Sequence, residues 1–144
     1  MIISSESEML AFGESLAAHC QTDLPQRVFE LLGDVGAGKT TLTRGLARGL
    51  GIAEPVTSPS FTISKSYAIP DGRTLVHYDF YRIPDPGLMA DDLTESLRDP
   101  NSIVVVEWAD TVHDLLPSNR TIVHISYNDD GTRTVELSSG SDRA

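Results

Sequence analysis

The chain has 144 residues, with 11 lysines and arginines against 21 aspartates and glutamates, a net charge of -10 and a pI near 4.6. That length holds one domain with a core of its own, without room for a large lid or a second substrate subdomain. The acidic balance, with Lys39 and Lys65 as the only lysines, excludes broad electrostatic capture of nucleic acid or of an anionic membrane.

The apolar runs are too short to span a bilayer, and Met1 onward lacks the charged-then-apolar pattern of a signal peptide. A single cysteine, Cys20, rules out an internal disulfide framework and fits a reducing cytoplasm.

In chain order, residues 1–4 suit a short strand. Ser5 and Glu8 have the spacing of a capping box, and Met9, Leu10, Gly13, Leu16, Ala17 and Cys20 fall on one helical face behind it. Cys20 therefore reads as a small core residue. Asp23-Leu24-Pro25 predicts the end of this first helix, since proline cannot continue it. The apolar run Val28-Phe29-Glu30-Leu31-Leu32 predicts a strand, and residues 41–50 predict a helix with Leu42, Leu46, Ala47 and Leu50 on its inner face. Arg44 and Arg48 read as a solvated face of that helix, and Gly49 and Gly51 mark its end.

Between strand and helix stands Gly33-Asp34-Val35-Gly36-Ala37-Gly38-Lys39-Thr40, with both glycines, the lysine and the threonine at P-loop spacing. Glycines let backbone N–H groups turn around phosphate oxygens where a Cβ would clash, and the helix start adds its unpaired N–H groups. The spacing assigns Gly33, Asp34, Gly36, Ala37, Gly38, Lys39, Thr40 and Thr41 to a nucleotide's phosphates. Lys39 would reach the β- and γ-phosphates, and the Thr40 hydroxyl a Mg²⁺ bridging them.

Thr57-Ser58-Pro59-Ser60-Phe61 follows, a hydroxyl-rich connector in the place of a γ-phosphate-sensing switch, with Ser58 and Ser60 as candidates. Residues 61–69 alternate as a strand, Pro70-Asp71-Gly72 is a turn, and residues 73–80 return as its hairpin partner. That strand ends at Asp79, and the apolar run Ile103-Val104-Val105-Val106 ends at Glu107. Strand C-terminal ends face the ligand crevice of a doubly wound sheet, so both acids are expected beside the nucleotide. Glu107 is assigned to the metal, directly or through water, and Asp79 to the metal's water or the attacking water.

His77 lies on the opposite strand face from Tyr78 and reads as packed rather than catalytic. Arg82 fits equally the phosphates, Asp79 or a partner's carboxylate; Trp108 fits core, a base-stacking ring or an interface anchor. Residues 86–99 have helical composition, residues 110–116 suit a short helix or turn, and residues 121–127 and 132–137 flank the turn Asn128-Asp129-Asp130-Gly131 as a last hairpin. A frayed tail is expected from Gly140 to Ala144.

These segments together resemble the TsaE (YjeE) family, small bacterial P-loop ATPases of threonylcarbamoyladenosine formation in tRNA. The resemblance is carried by Gly33 to Thr41, Ser58-Pro59, His77-Tyr78-Asp79-Phe80-Tyr81-Arg82 and Val106-Glu107-Trp108, and covers about Ser5 to Tyr127. Ser60 stands where the family usually has threonine, and residues 86–90 lack the glutamates the family commonly carries there. The resemblance implies an α/β, three-layer P-loop NTPase-like fold: a mixed, mostly parallel sheet with antiparallel hairpins and helices on both faces. It also implies ATP with Mg²⁺ on Lys39, Thr40 and Glu107, slow hydrolysis in isolation, and docking onto a TsaB–TsaD pair that itself handles the tRNA.

Two other classes share the P-loop. A small-molecule kinase needs an acceptor pocket and usually a lid; a nucleotide-gated binding module needs no turnover. A GTPase is disfavoured because no Asn-Lys-x-Asp is present to read guanine.

Overall fold

The computed structural model describes residues 1–20, 27–34, 36–59 and 62–140. Among them, seven strands form one sheet in the order β1-β7-β6-β2-β5-β4-β3. They are β1 (Ile2–Ile3), β2 (Val28–Leu32), β3 (Ser64–Ala68), β4 (Thr74–Asp79), β5 (Ser102–Glu107), β6 (Thr121–Tyr127) and β7 (Arg133–Ser139). The central four, β6-β2-β5-β4, run parallel, and antiparallel pairs finish each edge: β7 and β1 on one side, β3 on the other. The expected mixed sheet, with its two hairpins, is thus present.

Strand β5 lies between β2 and β4 with every residue buried, as its unbroken apolar run requires of a strand covered on both faces. Helices α1 (Glu6–Leu16) and α2 (Lys39–Gly49) cover one face, packing on Phe29, Leu31, Leu75, Ile103, Val105, Val123 and Ile125. Helix α3 (Leu88–Arg98) and two 3₁₀ turns, Ala109–Thr111 and His113–Leu115, cover the other, on Val28, Val76, Tyr78, Val104 and Val106. The Tyr78 hydroxyl fastens α3 to the sheet, 2.7 Å from both Asp92 Oδ2 and Ser96 Oγ. The alternation of a strand then fixes where the acids go. His77 and Asp79 share the α1/α2 face with Leu75, and Glu107 shares it with Val105.

Several boundaries differ from the sequence reading for local reasons. Ser5 caps α1 through its Oγ to the Glu8 N–H at 3.1 Å, but the Glu8 carboxylate reaches back to Ser4 instead of Ser5. Helix α1 tightens into a 3₁₀ turn at Ala17–Cys20; the expected stop at Asp23-Leu24-Pro25 lies outside the described residues. Helix α2 starts at Lys39, two residues early, because Gly38 adopts φ 114° and its carbonyl accepts the Leu42 N–H. Strand β3 begins only at Ser64, since Ile63 is left-handed at φ 66° and breaks the alternation; Phe61 lies outside the described residues. Gly140 is not frayed: its N–H donates to the Arg120 carbonyl at 2.9 Å, while residues 141–144 are not described.

Arg44 and Arg48 are exposed but tethered, Arg48 to Glu14 of α1 at 2.6 Å and Arg44 Nε to the Val56 carbonyl at 3.0 Å. Among the described residues no helix is long and apolar enough to cross a membrane.

Helices α1 and α2 meet backbone to backbone. A Cβ on Gly13 would lie 2.2 Å from the Leu42 carbonyl oxygen, and one on Gly45 would lie 2.2 Å from that of Leu10. Alanine at Gly45 should gain about 1 kcal/mol of helix propensity, yet overpacking against immobile backbone costs about 1–3 kcal/mol. Since a methyl group at 2.2 Å from a carbonyl oxygen forces the helices apart, the clash should prevail. Gly45→Ala is therefore expected to lower the thermal midpoint; an equal or higher midpoint in thermal denaturation would contradict this packing.

Candidate functional site

The parallel registers bring three chain segments to one rim of the sheet. Strand β2 ends at Leu32 and feeds directly into the glycine loop, with Leu31 paired to Glu107, and Glu107 paired in turn to Asp79. Gly36 and Gly38 take φ of 82° and 114°, values open to glycine and costly to residues with a Cβ. A cavity of about 380 Å³ opens above this rim, lined by Gly36, Gly38, Lys39, Thr40, Thr41, Ser58, Asp79, Tyr81, Glu107 and Trp108.

Lys39 is 6 % exposed and lies at the centre of the arrangement. Its Nζ donates to the Gly33 carbonyl at 2.6 Å, lies 3.8 Å from Glu107 Oε1, and sits 3.9 Å from the centroid of the Trp108 ring. Burial pulls its pKa below the ordinary lysine value, opposed by Glu107, Asp79 and Asp34. Glu107 is 3 % exposed, and its other oxygen, Oε2, lies 2.5 Å from His77 Nε2. Asp79 is half-buried and accepts the Tyr81 N–H at 2.9 Å. Desolvation raises its pKa above the usual carboxylate value; the Tyr81 hydrogen bond opposes this, while Glu107 adds to it.

Of the residues assigned from sequence, Gly36, Gly38, Lys39, Thr40, Thr41, Ser58, Asp79, Glu107 and Trp108 come together on this wall. Gly33, Asp34 and Ala37 stand behind it. Gly33 holds the lysine, the Asp34 carbonyl accepts the Ala37 N–H at 3.0 Å, and the Ala37 methyl group is buried in the core. Ser60 lies outside the described residues, as does Val35.

Arg82 is not on the wall. It is exposed, left-handed at φ 58°, and stacks 5.0 Å from the centroid of the Tyr81 ring. That tyrosine, one position earlier, lines the cavity and tilts against Trp108 at 4.8 Å between centroids.

Four residues at the site had no role assigned from the sequence, His77 among them because it read as packed. Tyr81 sits two positions past Asp79, and strand alternation alone placed His77 on the same face as Asp79, so both had a local signal. Tyr127 and Arg133 had none: they reach the loop from the last hairpin, where the Tyr127 hydroxyl and Arg133 both donate to the Gly36 carbonyl. A smaller cavity of about 190 Å³ flanks the loop there, lined by Ser5, Glu6, Met9, Gly36, Gly38, Thr41 and Arg133. The two cavities share Gly36, Gly38 and Thr41.

Backbone strain gathers around the same cavity. Among the described residues, Ile63, Arg82 and Trp108 are the non-glycine residues with positive φ. The Ile63 carbonyl accepts the Asp79 N–H at 2.8 Å, Arg82 stacks on Tyr81, and Trp108 follows Glu107. Such conformations cost about 1–3 kcal/mol each and persist where surrounding structure imposes them.

The raised pKa of Asp79 has a signed consequence for stability. Above its folded pKa the carboxylate is ionised in both states and its desolvation weakens the native state; as pH falls through that pKa to the unfolded value near 4, the penalty disappears. Asp79→Asn keeps an acceptor for the Tyr81 N–H and removes the charge. It should raise the thermal midpoint at pH 7, with the difference from wild type shrinking as pH approaches ~4. A midpoint lowered at pH 7, or a gain that grows in acid, would contradict a desolvated carboxylate.

A family model described as "Threonylcarbamoyl adenosine biosynthesis protein TsaE" matches residues 3–135. The chain is 37 % identical over 138 residues to the tRNA threonylcarbamoyladenosine biosynthesis protein TsaE of Haemophilus influenzae, covering 94 % of this chain and 85 % of that one. It is 39 % identical over 121 residues to the protein of the same name from Bacillus subtilis, covering 83 % and 73 %. The crystal structure of Bacillus subtilis YdiB superimposes with a TM-score of 0.76 at 34 % identity, covering 99 % of this chain and 86 % of that one. The chain belongs to the TsaE family.

Proposed function

We propose that this protein binds and hydrolyses ATP, with Mg²⁺, as the nucleotide-dependent component of the machinery that makes threonylcarbamoyladenosine in tRNA. One observation carries the reading: a glycine loop, a buried lysine and two strand-end acids converge on a single cavity. The direction we assign to a triphosphate rests on the cavity walls: Lys39, Thr40, Asp79 and Glu107 line the larger cavity and not the smaller. The γ-phosphate belongs on that side, and the nucleoside in the smaller cavity between Met9 and Arg133.

The donors suit magnesium held in company with phosphates. Among the described residues no group of three or more His, Cys, Asp or Glu side chains could hold a metal ion by itself. Thr40 and Glu107 would supply one or two protein oxygens, the pattern expected where phosphates and water complete the shell. When bound, the ion neutralises the charge on the terminal phosphates.

The chain's own groups divide the remaining tasks. Lys39, kept from water by burial under Trp108, places its ammonium against the β- and γ-phosphates. Asp79, whose affinity for a proton is raised by desolvation, orients the attacking water and takes its proton as ADP leaves. Ser58, on the same wall, reports the γ-phosphate to the connector that follows it. The acidic surface fits a protein that meets tRNA only through partners, here a TsaB–TsaD pair in the cytoplasm, and whose site that pair helps complete.

Glu107→Gln should lower turnover about 10²-fold or more while leaving nucleotide affinity near that of wild type. Titration should find ATP bound more tightly than GTP. A non-hydrolysable ATP analogue should change capture of the TsaB–TsaD pair by the tagged chain. Equal turnover by wild type and Glu107→Gln would remove the glutamate from the mechanism, and tighter GTP would overturn the choice of nucleotide. A new phosphorylated product from ATP and a metabolite pool would make the protein a kinase.

A further inference from the structure

His77 is fully buried, yet only one of its ring nitrogens has a partner. Nε2 lies 2.5 Å from Glu107 Oε2, while Nδ1 is sealed from solvent without a hydrogen bond. An ionised carboxylate can only accept, so Nε2 donates to Glu107, and Nδ1 is left buried without a partner. That arrangement costs stability which an aliphatic side chain of similar size would avoid. A histidine kept on those terms in the sheet core serves its one partner.

The backbone puts the pair in place. Strands β4 and β5 run parallel with His77 beside Val105 and Asp79 beside Glu107, all facing α1 and α2. The imidazole therefore approaches Glu107 from below, along the sheet, and the cavity lies above. With Oε2 committed to His77, Oε1 is left toward Lys39 Nζ at 3.8 Å, a distance beyond a direct hydrogen bond. Without the imidazole, the nearest charged partner of the carboxylate is that ammonium, and Glu107 would be drawn onto it.

We propose that His77 is a positioning residue, which turns Glu107 so that a single oxygen faces the cavity, paired with Lys39 at 3.8 Å but not drawn into a direct hydrogen bond with it, ready for a divalent cation on a nucleotide's phosphates. This rests on the nucleotide reading of the site and adds a residue to it. Side chains that orient a ligating group through its second atom typically govern affinity or activity by about 10–100-fold.

The test compares wild type, His77→Leu and His77→Gln in the full chain. The glutamine amide can donate toward Glu107 from near the position of Nε2; leucine cannot. Mn²⁺ binding to the nucleotide-loaded protein, followed by electron paramagnetic resonance, should weaken about 10-fold or more in His77→Leu and largely recover in His77→Gln. Binding of a fluorescent ATP analogue in EDTA should change little in either variant, which separates positioning from a general loss of fold.

Wild-type Mn²⁺ affinity in His77→Leu, equal losses in both variants, or a loss already present in EDTA would each overturn the proposal. Should His77→Leu not fold, nitrogen-15 spectra of the wild-type histidines decide. The proton should sit on Nε2 of His77, and the ring signals should move when Mg²⁺ joins bound nucleotide; unmoved signals would refute the role. A wild-type chain that binds no nucleotide would bring down the reading of the site together with this one. A wild type that hydrolyses ATP with variants indistinguishable from it would bring down His77 alone.

Discussion

A buried lysine and a buried glutamate share the floor of the cavity, and most of the molecule can be read as what keeps them there. Removing such charges from water costs several kcal/mol apiece unless each finds partners. Lys39 is met by the Gly33 carbonyl, the Trp108 ring and, at longer range, Glu107; Glu107 is met by His77 and Lys39. Neither charge could be held so near the other by a loop alone. The parallel pairing of β2, β5 and β4 fixes their relative heights to the register of the sheet, and the cores above and below fix the sheet.

Stability and chemistry pull in opposite directions at this rim. The residues that depart from easy backbone conformations flank the cavity, Asp79 is held with a raised pKa, and one nitrogen of His77 goes without a partner. Elsewhere the described strands are buried mostly by apolar side chains, with one buried ion pair between Arg120 and Glu30 at 2.8 Å, and the helix pair is in close contact at Gly13 and Gly45. The far hairpin adds a constraint from the opposite end of the chain. Tyr127 and Arg133 fasten the Gly36 carbonyl, so the glycine loop is held from both its own strand and the last two.

Much of this was legible in the residues. The glycine spacing, and two apolar strands that each end in an acid, are enough to bring Lys39, Asp79 and Glu107 to one rim. Other features depended on information that no local pattern carries. Tyr81 lines the cavity while Arg82, which fitted equally the phosphates, Asp79 or a partner's carboxylate, turns away from it at a positive φ that composition does not signal in arginine. Tyr127 and Arg133 act on a loop some ninety residues away in sequence, through a pairing set by β6 lying beside β2. His77 was correctly read as buried, but its hydrogen bond crosses from one strand to the next and so has no signature in its own segment.

The central claim is that Lys39, Glu107 and Asp79 surround the terminal phosphate of a nucleotide held by the glycine loop. A crystal structure with Mg²⁺ and a non-hydrolysable ATP analogue tests it most directly. The γ-phosphate is expected within hydrogen-bond reach of Lys39 Nζ, with Glu107 on the metal or its water and Asp79 facing the attacking position. Nucleotide density away from residues 33–41, or Asp79 and Glu107 turned from the γ-phosphate, would contradict it.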